Sequence, residues 1–152
     1  MNAKQGNSLL KIGRVFLFIP AILYTLLILF VITLYLMDGE NGFMYGDHGG
    51  AWVMLQSKYP ETAVDFAHSI RSNLITALGV GLYSLAIITF SFKNKDRWTW
   101  FALWILPAVL IEDVLFGIKK QTGFQYWFGG HILLAVLGLL VSFRSFFPGK
   151  TN

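Results

Sequence analysis

Four long apolar stretches limit most strongly what this chain can fold into. They cover about residues 12–37, 69–92, 98–118 and 126–147, and each is long enough for an α-helix to cross a bilayer. Backbone polar groups in hydrocarbon must be satisfied within the segment, so such stretches span as helices. The sequence therefore predicts an all-α, polytopic membrane four-helix bundle that forms a single integral membrane domain over residues 1–152.

The composition agrees with a membrane protein, because 55% of the residues are hydrophobic and only 13% are charged. A net charge of +4 could indicate a nucleic-acid partner in a soluble protein. Here the basic residues flank apolar spans, where they set orientation, so no nucleic-acid partner is predicted. The chain has no cysteine, which excludes disulfides, thiolate metal sites and thiol catalysis. The cofactor, if there is one, stays unknown at this point.

The connections carry signals of their own. Residues 38–68 form an acidic, glycine-rich region, in which residues 51–59 suit either a short helix at the membrane interface or a loop that covers the bundle. Pro60 starts a helix that we expect to run unbroken to Phe92. Pro107 removes a backbone donor and should kink the third span near mid-membrane.

Glycines and one further proline mark the first two spans. Pro20 should bend the first span, and Gly79 and Gly81 offer a flat face for close helix packing in the second. The first apolar run is longer than the core of a signal peptide, which predicts a retained helix.

Lysines and arginines predict the topology. Eight of the twelve fall on one side of the predicted spans, and four fall on the other. The larger group is Lys4, Lys11, Arg14, Lys93, Lys95, Arg97, Arg144 and Lys150; the smaller is Lys58, Arg71, Lys119 and Lys120. The positive-inside rule then places a multi-pass protein in the cell (inner) membrane, with both termini cytoplasmic and residues 38–68 extracytoplasmic.

Two adjacent carboxylates, Glu112 and Asp113, lie inside the third apolar span. A charge at the centre of a spanning helix costs about 3 kcal/mol on insertion scales, so such residues usually face a partner or a wet cavity. The predicted topology brings further polar residues of the second and fourth spans to the same outer level: His68, Arg71, Asn73 and His131. We therefore predict a polar cluster on the outer side.

Several interpretations of this cluster are open. Glu112 can pair with Arg71 across helices while His131 donates a hydrogen bond, which gives a structural ion pair without chemistry. His68, His131 and either Glu112 or Asp113 can instead hold a metal ion, although no metal-binding spacing supports this. A third interpretation is a pocket for a lipid headgroup or small anion, with Arg71 as the anchor and Asn73 nearby.

The string FKNKDRWTWFALWILP, from Phe92 to Pro107, resembles a pattern of small bacterial four-helix membrane proteins that have no assigned activity. The helix start at Pro60 and Glu61, Arg71 in the second span and the terminal FRSFFP are similar to that group as well. The resemblance extends from about Tyr59 to Pro148. It implies a DoxX-like architecture and carries no activity.

We predict a binding, structural or accessory membrane protein whose partner is a membrane lipid, with a protein partner or a second copy left open. The alternative is a membrane-embedded hydrolase or isomerase that acts on a lipid-like substrate with Glu112 or Asp113 and His131 as acid and base. A transporter is disfavoured, because four helices without an internal repeat would have to dimerise to form a pathway.

Overall fold

The computed structural model describes residues 3–40, 49–120 and 123–148. Within these residues there are six α-helices and no strand, which confirms the all-α prediction. The elements in order are α1 (Ala3–Asp38), α2 (Gly49–Lys58), α3 (Pro60–Ala86), a π turn (Ile87–Ser91), a 3₁₀ turn (Phe92–Asn94), α4 (Arg97–Ala102), α5 (Ile105–Lys120) and α6 (Phe124–Phe146).

Four segments of the described residues are long and apolar enough to cross a membrane. They are Asn7–Asp38, Pro60–Asn94, Arg97–Leu115 and Gln125–Phe146. Each overlaps one of the predicted spans, and the helix of the second begins at Pro60, as predicted. The protein is therefore a multi-pass membrane protein of the all-α class.

The chain divides into two compact units. The packed unit comprises residues 1–23 and 80–152, and the cleft unit comprises residues 24–79. The divisions fall shortly after Pro20 in α1 and at Gly79 in α3. Each unit is described separately below, and the single membrane domain stays a prediction.

In the packed unit, α1 and α6 approach closely at two glycines. A Cβ atom on Gly138 would lie 2.9 Å from the carbonyl oxygen of Gly13 and 2.8 Å from Cγ of Leu17. A Cβ on Gly13 would lie 2.8 Å from the carbonyl oxygen of Gly138. By contrast, a Cβ on Gly79 would meet nothing within 4 Å. The prediction that Gly79 marks a close helix contact is therefore wrong, and Gly13 and Gly138 fill that role.

The third span is disrupted before Pro107, where a kink is predicted, and the disruption is a break between α4 and α5. Pro107 has no N–H to donate to the carbonyl of Leu103, which lies between α4 and α5. That carbonyl instead accepts from the N–H of Leu106 at 3.2 Å, and the N–H of Trp104 bonds to the carbonyl of Phe101 at 3.1 Å. These shorter-range bonds tighten the turn before the proline and end the regular helix at Ala102.

The second span changes helix type near its end. The chain is helical from Pro60 to Asn94, which confirms the predicted unbroken helix to Phe92, but regular α geometry stops at Ala86 and is followed by the π turn and the 3₁₀ turn. The carbonyl of Thr89, inside the π turn, accepts a hydrogen bond from Nη2 of Arg14 at 3.1 Å. A π turn shifts the backbone hydrogen bonds by one residue, which leaves a carbonyl open to such a donor.

Trp100 is at the centre of the aromatic packing in the packed unit. Its Nε1–H donates to the carbonyl of Leu139 at 2.9 Å, which joins α4 to α6. Four rings surround the indole in edge-on contacts, with centroids 5.2–5.6 Å away: Phe101, Trp104, Phe143 and Phe147. This arrangement satisfies the buried indole N–H and fixes the orientation of α4.

In the cleft unit, α2 packs on the first turns of α3. Trp52 is buried against Ala63 and Ala67, and its ring lies 6.2 Å from that of Phe66. The N–H of Ala63 donates to the carbonyl of Tyr59, so the chain passes from α2 to α3 at Pro60 without an intervening loop. Of the two interpretations for residues 51–59, the helical one is confirmed at the level of secondary structure.

Candidate functional site

Gly39, directly after α1, turns the chain so that Glu40 lies against the end of that helix. Gly39 has φ +60, a left-handed conformation that favours glycine, and its N–H donates to the carbonyl of Tyr35 at 2.7 Å. This turn places Glu40 beside Tyr35, whose hydroxyl donates to Glu40 Oε1 at 3.0 Å. The helix end therefore creates a hydroxyl–carboxylate pair.

Arg71 of α3 completes this group. Its Nε donates to the Tyr35 hydroxyl, and its Nη2 donates to Glu40 Oε1 at 3.1 Å. We call Tyr35, Glu40 and Arg71 the polar triad. Its three hydrogen bonds hold the guanidinium in one orientation, and the Cζ of Arg71 lies 5.9 Å from the centre of the Tyr35 ring.

The triad leaves Arg71 with donors to offer. A guanidinium carries five N–H groups, and the two contacts above use two of them. The side chain of Arg71 is 60% exposed, whereas that of Glu40 is 17% exposed. Glu40 and Tyr35 therefore orient the guanidinium from one side while its other edge remains accessible.

Beside the triad is a cleft of about 610 Å³. Its polar lining consists of Glu40, Gln56, His68 and Arg71, and its apolar lining consists of Trp52, Pro60, Ala63, Val64 and Ala67. The apolar residues come from α2 and the first turns of α3, where Trp52 is packed. A site with a few convergent polar groups over an apolar floor suits a ligand that has a polar part and an apolar part.

The electrostatics of Glu40 favour its charged form. A hydrogen bond from its own backbone N–H, with those from Tyr35 and Arg71, holds the pKa of the Glu40 carboxyl below its ordinary value, although partial burial opposes the shift. Arg71 therefore faces a carboxylate at neutral pH. The Arg71–Glu40 pair therefore has almost no net charge, so it does not by itself attract an anionic ligand.

The predicted site residues fall in both units. Arg71 and His68 line the cleft, while Asn73 lies on the exposed surface of α3 beyond the cleft lining. The ion pair that the structure gives Arg71 is with Glu40, and its pairing with Glu112 stays a prediction. Arg71 has an acidic partner within its own unit and does not need a second one for charge balance.

The remaining predicted residues lie on α5 and α6 of the packed unit. Glu112 is exposed, Asp113 is half-buried and His131 is 7% exposed. The His131 Nδ1 lies 2.7 Å from the carbonyl oxygen of Trp127, one turn earlier in α6, and the two rings lie 3.9 Å apart. The use of Glu112 or Asp113 with His131 as catalytic groups stays a prediction.

Metal binding gains no support from the geometry. Among the residues that the structure describes, no three His, Asp or Glu side chains are placed to hold a metal ion. His68, Glu112 and His131, the residues considered for this role, are all within the described ranges.

Sequence reasoning missed two members of the triad, Tyr35 and Glu40. The available signal was the order Asp38, Gly39, Glu40, since a glycine directly after a helix commonly reverses the chain onto that helix. The acidic, glycine-rich composition of residues 38–68 alone assigns Glu40 no partner. The contact with Arg71 depends on how α1 and α3 are oriented, which no local pattern specifies.

Comparison with protein-family models, with curated proteins and with solved structures finds no match to this chain. The resemblance to DoxX-like proteins stays a prediction. The features that bear on function are therefore the cleft and the polar triad beside it.

Proposed function

We propose that this is a binding protein of the cell membrane, and that the cleft beside the polar triad takes the phosphate-bearing headgroup of a membrane lipid. The observation that carries this proposal is Arg71, whose guanidinium is oriented by Tyr35 and Glu40 yet remains exposed to the cleft. Arginine binds phosphate through paired N–H donors, and a guanidinium that is already oriented loses less entropy on binding.

The charge and lining of the cleft favour a zwitterionic headgroup. Glu40 and Arg71 nearly cancel, so the cleft has little net charge to attract a simple anion. A headgroup with both phosphate and ammonium would place the phosphate on Arg71 and the ammonium towards Glu40, and Trp52 supports an apolar floor. Large exposed hydrophobic residues nearby, Val53 and Met54 of α2 and Val64 of α3, suit acyl chains.

The orientation of the chain in the membrane is part of the same proposal. With both termini in the cytoplasm, the cleft unit opens towards the outer leaflet. Because the chain has no cysteine, single cysteines at Gly46, outside the described residues, and at Asn94, in the 3₁₀ turn, can be labelled without background. We expect impermeant reagents to reach the two positions from opposite sides. Labelling from one side only would contradict the topology.

The lipid proposal is tested by thermal stability in detergent, read from tryptophan fluorescence. A ligand that binds only the native state stabilises it by about 2.7 kcal/mol at 100 times its Kd. We expect short-chain phosphatidylethanolamine and phosphatidylcholine to raise the Tm by several degrees. Short-chain phosphatidylglycerol and inorganic phosphate should raise it less.

Two variants make the test specific. Arg71→Gln removes the anchor and should abolish the lipid-dependent rise in Tm. Lys58→Gln removes an exposed cation at the end of α2, outside the cleft lining, and should keep the rise. An equal rise in Arg71→Gln, or no rise with any lipid, would refute the proposal. A rise with inorganic phosphate alone would indicate an anion site and not a lipid site.

A further inference from the structure

Asp113 and His131 lie at the same level of a helical hairpin. The helix α5 ends at Lys120 and α6 begins at Phe124, so the connection is short and the two helices, which pack along each other, run antiparallel. Asp113 and His131 are each about 10 Å from these ends at 1.5 Å per residue. The hairpin therefore places them at the same level along its axis.

Both residues continue the buried faces of their helices. On α5 the buried positions Leu106 and Leu110 are followed, three residues on, by Asp113. On α6, His131 lies between the buried Phe128 and Ala135. Residues three or four apart share one side of a helix, so Asp113 and His131 lie on the buried sides of α5 and α6.

Asp113 and His131 each have one buried polar atom that has no hydrogen-bond partner among the described residues. These atoms are Asp113 Oδ2 and His131 Nε2. The His131 Nδ1 lies against a carbonyl oxygen, which can only accept, so Nδ1 carries the hydrogen. In the neutral ring Nε2 is then an acceptor, like the Asp113 carboxylate. Gln125 Oε1, nearer the start of α6, is a further buried acceptor without a partner.

We propose that Asp113 and His131 bind the ammonium group of a primary amine. Two buried acceptors, one of them anionic when ionised, suit a ligand that carries both N–H donors and positive charge. Asp113 lies within an apolar span, and the ion pair found among the described residues is the one between Arg71 and Glu40, so none of the side chains that the structure describes neutralises this carboxylate. An ammonium group supplies charge and up to three donors.

Competing occupants fit this position less well. A metal ion needs a third protein ligand, and no three such side chains converge among the described residues. A quaternary ammonium has positive charge but no N–H to donate. A water molecule donates two hydrogen bonds but leaves the carboxylate charge unbalanced. The inference stands apart from the lipid-binding proposal, because its residues lie in the packed unit and not in the cleft unit.

The test compares two salts on the full chain in detergent at constant pH and ionic strength. Methylammonium chloride supplies N–H donors, and tetramethylammonium chloride does not. We expect methylammonium to raise the Tm saturably, by about 3 °C at tenfold excess over its Kd, and tetramethylammonium to leave it unchanged. Equal effects of the two salts, or no effect of either, would overturn the proposal.

A pair of neighbouring variants locates the effect. Asp113→Asn should abolish the methylammonium shift, whereas Glu112→Gln removes an adjacent but exposed carboxylate and should retain it. A shift that survives in Asp113→Asn, or one produced by Zn²⁺ and not by methylammonium, would also overturn it. If Asp113→Asn does not fold, the comparison of the two salts on the native protein still decides.

Discussion

The two units differ in the hydrogen bonds that join helix to helix, apart from an exposed side-chain contact of Lys95 with Asn7 in the packed unit. In the packed unit, Arg14 and Trp100 reach from one helix to backbone carbonyls of another, those of Thr89 and Leu139. In the cleft unit, the triad joins α1 to α3 through side chains alone, and Arg71 is largely exposed. Backbone acceptors stay fixed by the helices that carry them, whereas exposed side chains can exchange partners with a ligand. This contrast supports the proposal that the cleft unit binds a ligand while the packed unit stabilises the fold.

The largest expected effect tests the packing half of this comparison. Trp100→Ala removes a buried ring with four aromatic neighbours and its hydrogen bond to Leu139, and should lower the free energy of unfolding by about 3–5 kcal/mol. The measurement is Tm in detergent. Trp98→Ala, at a position 53% exposed, is the control and should cost far less. Similar losses in both variants would mean that Trp100 is not central to packing.

The next effect tests the close approach of α1 and α6. Gly138→Ala forces a Cβ to within 3 Å of Leu17 and of the Gly13 carbonyl, and should cost about 1–3 kcal/mol by overpacking. Gly79→Ala places a Cβ in open space and should leave the Tm unchanged or slightly higher. The same chemical change thus separates a packed glycine from an unpacked one. A larger loss at Gly79 would reverse the assignment.

A smaller effect on stability is expected in the cleft unit. Tyr35→Phe removes the hydroxyl that accepts from Arg71 and donates to Glu40, and should change the Tm little, because exposed ion-pair networks contribute about 1 kcal/mol or less. The lipid-dependent rise in Tm should nevertheless fall clearly, since the guanidinium loses its orientation. Tyr83→Phe, on the exposed part of α3, is the matched control and should keep the full rise.

The smallest effect is a dependence on pH. The lowered pKa of Glu40 means that its contribution to stability is complete above the unfolded-state pKa, about 4.3, and is lost as the pH falls through the lower folded-state pKa. We expect the Tm difference between the native protein and Glu40→Gln to be constant from about pH 7 to pH 5 and to shrink below that range. Asp65→Asn, at an exposed position on α3, serves as the comparison. A difference that grows on acidification would contradict this sign.

Much of the fold follows from local properties of the sequence. The four spans depend on hydrophobicity over a helix length, and the interruption before Pro107 depends on one missing donor. Which glycines pack closely is not local. Gly13 and Gly138 touch because of how α1 and α6 are rotated, and the sequence offers Gly79 and Gly81 equally well. The π turn at Ile87–Ser91 has no sequence signal that we can name.

The candidate site likewise has residues that the sequence predicts and contacts that it does not. Arg71 and His68 could be predicted because polar residues near the end of an apolar span are conspicuous. The turn at Gly39 has a sequence signal, but the contact of Glu40 with Arg71 could not be predicted, because it depends on how α1 and α3 meet. The burial of Asp113 Oδ2 and His131 Nε2 without partners could not be predicted from the sequence, since only packing determines which atoms are enclosed.

The contact between Arg14 and the π turn has an electrical consequence. The partner of this guanidinium is a carbonyl and carries no net charge, so within the described residues the positive charge of Arg14 is not cancelled by an acid. Moving one elementary charge through a membrane potential of 100 mV requires about 2.3 kcal/mol. If the N-terminus is cytoplasmic, as we propose, a membrane potential that is negative inside opposes export of the first turns of α1, and a backbone carbonyl holds the cation without weakening that restraint.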